Sequence, residues 1–409
     1  MHTSGKYQKI TSGEPLLIGL VYDRTQDYQL AGGPDDKFAE FEPESTIAAM
    51  EQAVIHAGHR PLRIGSPHQL LNVAHYADTS GSSAGAGHTS TPDLVWNIGE
   101  GYGSRNREAW APVLCEMKDI PCLGSDAYAL TVTLDKVLTK MIARFLEVPT
   151  SDWQIIEWNS RHSAGSSGSD CDSDNGIGCD TEPRADERPP VPEPELPFPQ
   201  FLKPRYEGTS KGISEKSMVR SPEEFRHQCR FLLETYHQDV MAEPFIDGPE
   251  ITCALSGHPL RAHPVMERGL DTSGIGSHAL ETNDPDAEKT EGRRGRKKSD
   301  DQPESGSTDR DHSPDDRNSE VSGIITPELE EHISSWSLTL CNWLRIRDFV
   351  RLDFKIAQNG TPLLLEINPL PTFATDSTFA ILAEIEGRSY PEFLSEILRG
   401  AIGRLKQES

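Results

Sequence analysis

The sequence predicts an α/β protein with an N-terminal doubly wound parallel-sheet domain, and three observations carry that reading. Residues 16–22 form a continuous apolar run, the pattern of a strand buried on both faces. Helical apolar spacing follows over 43–54 and ends at Gly58, and short strands return at 61–65 and 93–98; strands alternating with helices build a parallel sheet. Far along the chain, the apolar runs 349–354 and 363–368 flank Asn359-Gly360, a dipeptide that accepts the positive φ of a hairpin turn.

At 409 residues the chain can hold two or three domains with real cores. Its net charge of −25 argues against a nucleic-acid-binding surface and against anionic membranes. The seven cysteines, an odd number scattered along the chain, read as those of a reduced intracellular protein. The N-terminus lacks a signal-peptide pattern and no apolar run approaches a membrane span, so a cytoplasmic protein is expected. Residues 160–197 and 268–323 shift to Ser, Gly, Asp, Glu and Pro, too polar to order themselves, and 79–87 reads as a decorated loop. Residues 170–176 superficially resemble a calcium loop, but the glycine falls one place late and no glutamate occupies the twelfth position. The basic cluster 293–298 reads as a solvated tract.

The chemistry concentrates in the hairpin. With a side-chain period of two, Arg351 and Asp353 share one face while Leu352 and Phe354 take the other, and Glu366 and Asn368 do the same on the second strand. Two carboxylates and an amide oxygen suit Mg²⁺, or Mn²⁺, held together with a nucleotide. The alternative is a solvated charged face; the turn-rich stretch after Asn368, which can carry backbone N–H groups into a site, favours the metal. Glycines at 99–103 follow the third strand, where open α/β sheets bind ligands. Lys203 ends an apolar strand and leads into Gly208-Thr209-Ser210, a cation and free N–H groups of the kind that fold over a triphosphate. Ser221 and Pro222 open a helix with a sound cap, burying Phe225, Cys229, Leu232 and Leu233. Further helices are expected from 133, over 327–344, from 377 and over 390–405.

These stretches carry a resemblance. R-x-D-F at 351–354, L-x-E-I-N-P at 364–369 with Ser377 downstream, K-P-x-x-E-G-T-S-x-G at 203–212, N-x-x-E-G at 97–101 and I-P-x-x-G-S at 120–125 resemble the ATP-grasp superfamily, more closely its D-alanine–D-alanine ligase family. The resemblance implies a substrate domain over 1–125 and two ATP-grasp subdomains, 126–240 and 241–409, clamping the nucleotide. It implies an ATP-dependent ligase joining two amino acids through an acyl phosphate. Asp353, Glu366 and Asn368 would hold the metal. Lys136, Lys203, Glu207 and Ser210 would meet the phosphates, Glu243, Phe245 and Ile246 the adenine, and Glu250 the ribose. Arg351, with a backbone N–H near Thr372, would steady the oxyanion, and Ser377 would grip the second substrate's carboxylate. Thr209 stands where the family's loop usually has serine, and Glu42, or else Glu40 or Glu44, would take the first substrate's ammonium. Two departures stand out: Thr372 replaces a glycine, and Glu281-Thr282 fall where the family's mobile loop has Lys-Tyr. They leave open another amino acid or amine pair, or an ATP-binding pseudoenzyme acting as an interaction module. The implied partners are ATP and small amino acids, without nucleic acid or membrane, and a homodimer is one assembly the resemblance allows.

Overall fold

A computed structural model describes residues 8–28, 32–73, 91–158, 191–268 and 325–408. The α/β expectation holds. Strand β1 (Leu17–Val21) lies between β2 (Arg60–Gly65) and β3 (Leu94–Asn97), and β4 (Cys122–Leu123) completes a parallel sheet in the order β2-β1-β3-β4. A short helix α1 (Gln8–Ser12) precedes it, and α2 (Glu44–His56), the short α3 (Pro67–Leu70) and α4 (Trp110–Met117) connect its strands. Alternate residues of β1 and β3 face opposite ways: Ile18, Leu20 and Trp96 pack on α2, whereas Val21 and Val95 pack with Ala111 and Cys115 of α4. Burial on both faces explains why these strands read as unbroken apolar runs.

A second sheet, all antiparallel, runs β5 (Gln154–Ile156), β8 (Val240–Pro244), β6 (Gln200–Pro204), β7 (Met218–Val219). Helix α7 (Pro222–Tyr236) covers it through Phe225, Cys229, Leu232 and Leu233, and the Ser221 hydroxyl accepts from Glu224 N as its cap. The third sheet is built on β9 (Glu250–Gly257), which pairs with β10 (Arg261–Ala262), β11 (Met266–Arg268) and β12 (Asp348–Ile356); β12 pairs in turn with β13 (Pro362–Asn368). Helices α5 (Ala127–Leu134), α6 (Lys136–Phe145) and α8 (Pro327–Leu344) join its core. Helices α9 (Thr378–Ile385) and α10 (Tyr390–Glu408) return to seal the first sheet, where Phe379, Phe393 and Leu398 meet Leu20 and Trp96.

Two expectations need correction. The helix expected from residue 133 is two helices, because Asp135 leaves the helical conformation and its carboxylate accepts from Val137 N and Leu138 N to start α6 afresh. Residues 191–197, read as unstructured, are built onto the central sheet: Gln154 bonds Glu193 O at 2.9 Å and Glu195 N at 3.0 Å. The rest of that segment, the loop at 79–87, the calcium-like stretch, Glu281-Thr282 and the basic cluster lie outside the described residues.

One buried clasp ties the first sheet to the third. Arg404, on α10, grips Asp348 with two bonds of 2.9 and 2.8 Å, and Asp348 also accepts from Gly124 N at 2.9 Å. Both side chains are almost wholly inaccessible. Removing one partner of such a pair leaves a buried, uncompensated charge. Arg404→Met is therefore expected to cost about 3–5 kcal/mol in urea denaturation, and the double variant with Asp348→Asn to regain most of it.

Candidate active site

The register of β12 on β13 sets Arg351 opposite Asn368 and Asp353 opposite Glu366. Period two thus brings all four side chains to one surface, while Leu352 and Phe354 enter the core. The Asn368 amide nitrogen lies 3.0 Å from Asp353 and 3.3 Å from Glu366. Arg351 holds Asp353 at 3.0 Å, and Thr252 on the neighbouring β9 donates to the same carboxylate at 2.5 Å. Burial would raise the Glu366 carboxyl, but Lys136, Lys203 and Arg351 beside it keep it ionised, down to about 2.

Among the described residues no group of three His, Cys, Asp or Glu could hold a metal alone. Asp353 and Glu366 nevertheless converge on one amide, and rotating that amide would present its oxygen at the same point. Three hard oxygens leave most of the sphere of Mg²⁺ for phosphate oxygens and water, so the donor set fits a metal carried in by a nucleotide.

Beside this surface lies a cleft of about 930 Å³. Phe201 and Phe245, ring centroids 6.3 Å apart, form an apolar wall with Pro244, Ile246 and Leu365, and Lys136, Lys203, Ser210, Glu250 and Glu366 form the polar side. Of the residues expected at the adenine, Glu243 does not present a free carboxylate. It is clamped by Lys203 at 2.7 Å and Lys140 at 2.8 Å and accepts from Ser151 at 2.8 Å. Those two ammonium groups overcome the burial that would raise its carboxyl and hold it far below the ordinary range. The Phe245 N–H is bonded to Pro199 O at 2.9 Å, so it cannot face a ligand. Glu207, expected at the phosphates, is held by Lys211 and by Gln238 at 2.7 Å.

The loop over this cleft takes left-handed backbone at Thr209 and Ser210, φ 44° and 56°. It is pinned by Glu40, which accepts from Gly208 N at 2.8 Å and ion-pairs with Arg107 at 2.6 Å and Lys211 at 3.1 Å. A Cβ on Gly208 would stand 2.8 Å from a Glu40 carboxylate oxygen, so a side chain there would have to push that carboxylate off its pairs.

A second cleft of about 1,280 Å³ adjoins the first and shares Lys136, Ser210 and Glu366 with it. Arg351, Thr209, Asn368, Glu42 and Ser377 line it. Glu42 accepts from the Thr372 hydroxyl at 3.0 Å; burial, with Asp376 nearby, pushes its carboxyl up to about 7. Of the alternatives, Glu44 is exposed and paired with Arg63 at 2.6 Å, and Glu40 is locked in its knot, so Glu42 alone of the three is available to a ligand ammonium. The Ser377 hydroxyl is buried without a hydrogen bond of sound geometry; the neighbouring Tyr390 hydroxyl donates to Phe373 O at 2.9 Å.

Sequence reasoning missed Arg107, Lys211 and Glu108 and ranked Glu40 only as a substitute. Lys211 lay inside the glycine loop quoted above, which was the one available signal; the partners of Glu40 are 67 and 171 residues away.

Known proteins share the fold that carries these residues. The family model described as the D-ala D-ala ligase C-terminus matches residues 183–288 and 307–399. The chain is similar to the D-alanine–D-alanine ligase-like ATP-grasp proteins. An uncharacterized protein of Sinorhizobium fredii is 25% identical over 75% of this chain and 74% of its own length. The D-alanine–D-alanine ligase of Aquifex aeolicus is 24% identical over 73% of this chain and 79% of its own. Among solved structures, an ATP complex of the Bacillus anthracis D-alanine–D-alanine ligase superposes with a TM-score of 0.58 at 16% identity, covering 96% of this chain and all of that one. A D-Ala:D-Ser ligase from Enterococcus faecalis gives the same score and identity over 95% of this chain. The stretch 289–306, skipped by the family model, falls inside the segment read as an insertion.

The knot around Glu40 has a consequence for acid stability. Burial would raise its carboxyl, but Arg107 and Lys211 bring it to about 2, below its unfolded value near 4.5. Its contribution is complete above about pH 4.5 and is lost as pH falls towards 2. Glu40→Gln should flatten the stability–pH curve between those limits in chemical denaturation.

Proposed function

We propose that this chain is an ATP-dependent carboxylate–amine ligase that joins two amino acids through an acyl phosphate. The observation that carries the reading is the meeting of two clefts at one wall, Lys136 and Glu366, with Arg351 and Asn368 facing the second cleft beside it. Relatives named D-alanine–D-alanine ligase over most of their length, and an ATP complex of the same fold, support it. ATP would lie in the first cleft, its base along Phe201, Phe245 and Ile246, its ribose at Glu250 and its phosphates towards Lys136, Lys203 and Ser210 beneath Thr209. Asp353, Glu366 and Asn368 would hold Mg²⁺, which neutralises charge on the β- and γ-phosphates.

The first amino acid would enter the second cleft with its ammonium at Glu42. Its carboxylate oxygen attacks the γ-phosphorus and ADP leaves. The amine of the second amino acid, its carboxylate held by the Ser377 hydroxyl, then attacks the acyl carbon. Arg351 stabilises the tetrahedral oxyanion, and phosphate departs as the C–N bond forms. All of these charged groups remain in place, which disfavours the pseudoenzyme.

We read the three sheets as three domains, with junctions near 125 and just after Pro244 rather than at 240, since β8 pairs with β6 along its length. No helix among the described residues is long and apolar enough to cross a membrane. A cytoplasmic enzyme is proposed, without nucleic acid and as a homodimer.

ADP release from Mg·ATP, screened against single amino acids and pairs, tests the reading. Release stimulated by a particular amino acid should fall at least 100-fold in Asp353→Ala, the scale of losing a metal ligand that is used in phosphoryl transfer. ATP binding without release under any amino acid would contradict it.

A further inference from the structure

The nucleotide cleft contains a lysine with no part in the proposed chemistry. Lys355 lines it together with Phe201, Phe245, Ile246, Leu365 and Glu250, and is 8% exposed. On β12 it stands two residues beyond Asp353, so the period of two turns it to the face that carries Arg351 and Asp353. The register of β12 on β9 sets it directly opposite Glu250, as it sets Asp353 opposite Thr252. Side chains so paired are cross-strand neighbours, and here their charges are opposite. Asp247, in the turn before β9, adds a second negative group. The Lys355 ammonium donates to Ile246 O at 3.3 Å and lies 5.3 Å from the centroid of the Phe245 ring.

The backbone stitches the same segment. Ile356 N donates to Pro249 O at 3.0 Å, and a Cβ on Gly248 would stand 1.9 Å from Ile356 O, so only glycine passes there. Residues 246–250 lead from the side chains proposed for the base to the carboxylate proposed for the ribose. Main chain and one side chain thus hold them against the end of β12. An ammonium in an apolar wall is costly to desolvate, and a methionine or leucine would floor a base without that cost. What Lys355 supplies instead is a link: Glu250, Ile246 O and the Phe245 ring, which compensate it, all belong to the face that meets the nucleoside. Lys136 and Lys203, in the same cleft, are turned to Glu366 and Glu243.

We infer that Lys355 is a positioning residue for the ribose of the bound nucleotide. Its ammonium ties the Glu250 carboxylate to Ile246 O, so that the carboxylate is aimed at the 2′- and 3′-hydroxyls, and its methylenes complete the floor beneath the base. The chain therefore selects ribonucleotides over deoxyribonucleotides through a lysine as well as a glutamate. This rests on the nucleotide site of the ligase reading and deepens it by assigning the choice among nucleotides.

Displacement of a fluorescent ATP analogue from the full chain, with Mg²⁺ present, tests the inference with ATP, 2′-deoxy-ATP and 3′-deoxy-ATP. ATP should bind about tenfold tighter than the weaker of the two deoxynucleotides, the scale of one hydrogen bond to a charged group. Lys355→Met keeps an apolar floor and removes the ammonium, so the preference should fall to about threefold or less with little change for that deoxynucleotide. Lys355→Gln takes its place should the methionine variant fold poorly. Lys355→Arg keeps the charge and should keep most of the preference. In the Glu250→Gln background Lys355→Met should move the preference no further, because the two residues act through one contact. Equal loss for all three nucleotides would mark a packing role and overturn the inference, as would a preference absent from the unaltered chain or unchanged in a folded variant. ADP release measured in parallel separates the two readings. A preference that follows Lys355 without release under any amino acid would sink the ligase and leave the ribose role standing, whereas release with a preference unmoved by Lys355→Met would do the reverse. A chain that binds no ATP would overturn both.

Discussion

The site depends on one buried carboxylate. Glu40 is tied to Arg107 from the first sheet's connections and to Lys211 and Gly208 from the glycine loop of the second, so it joins two parts of the molecule that contribute opposite walls of the reaction space. A buried ion pair is weak in itself as a source of stability, because desolvation offsets the Coulomb gain. Its value here is positional. It fixes where the loop backbone lies relative to Lys136 and Glu366, and preorganised donors are what a charge-developing reaction needs.

The same economy of charge runs through the three polar clusters. Glu243 has two lysines and is sealed. Glu366 faces three cations and remains ionised at the boundary of both clefts. Glu42, Glu100 and Glu108 are less fully compensated and line the second cleft. Compensated carboxylates build the frame.

How much of this was legible in the sequence follows from sequence distance. The hairpin residues were readable because a strand's period of two and a turn at Asn359-Gly360, where Gly360 takes φ 83°, fix which side chains face together. The strands of the first sheet were equally plain. The clamp on Glu243 left no trace, because its lysine partners come from α6 and β6, and nothing local distinguishes a strand glutamate that faces solvent from one that faces a lysine. Lys136 and Lys140 occupy adjacent turns of one helix, yet one borders both clefts and the other is buried against Glu243. Thr133 looked like the start of a helix because the break at Asp135 is set by its own cap and by Arg205, which grips it at 2.7 Å from 70 residues away. Non-local contacts of this kind leave no periodic trace.

In the proposed reaction, phosphoryl transfer and amide formation occur in succession across the wall formed by Lys136 and Glu366. Positional isotope exchange in ATP labelled with heavy oxygen at the β–γ bridge tests it most directly, with the first amino acid supplied and the second withheld. Scrambling of the label into the non-bridging β-oxygens is expected, because a reversible acyl phosphate forms before any amine arrives. Peptide formation with both substrates present, but no scrambling with the first alone even when ADP can rotate freely, would contradict it.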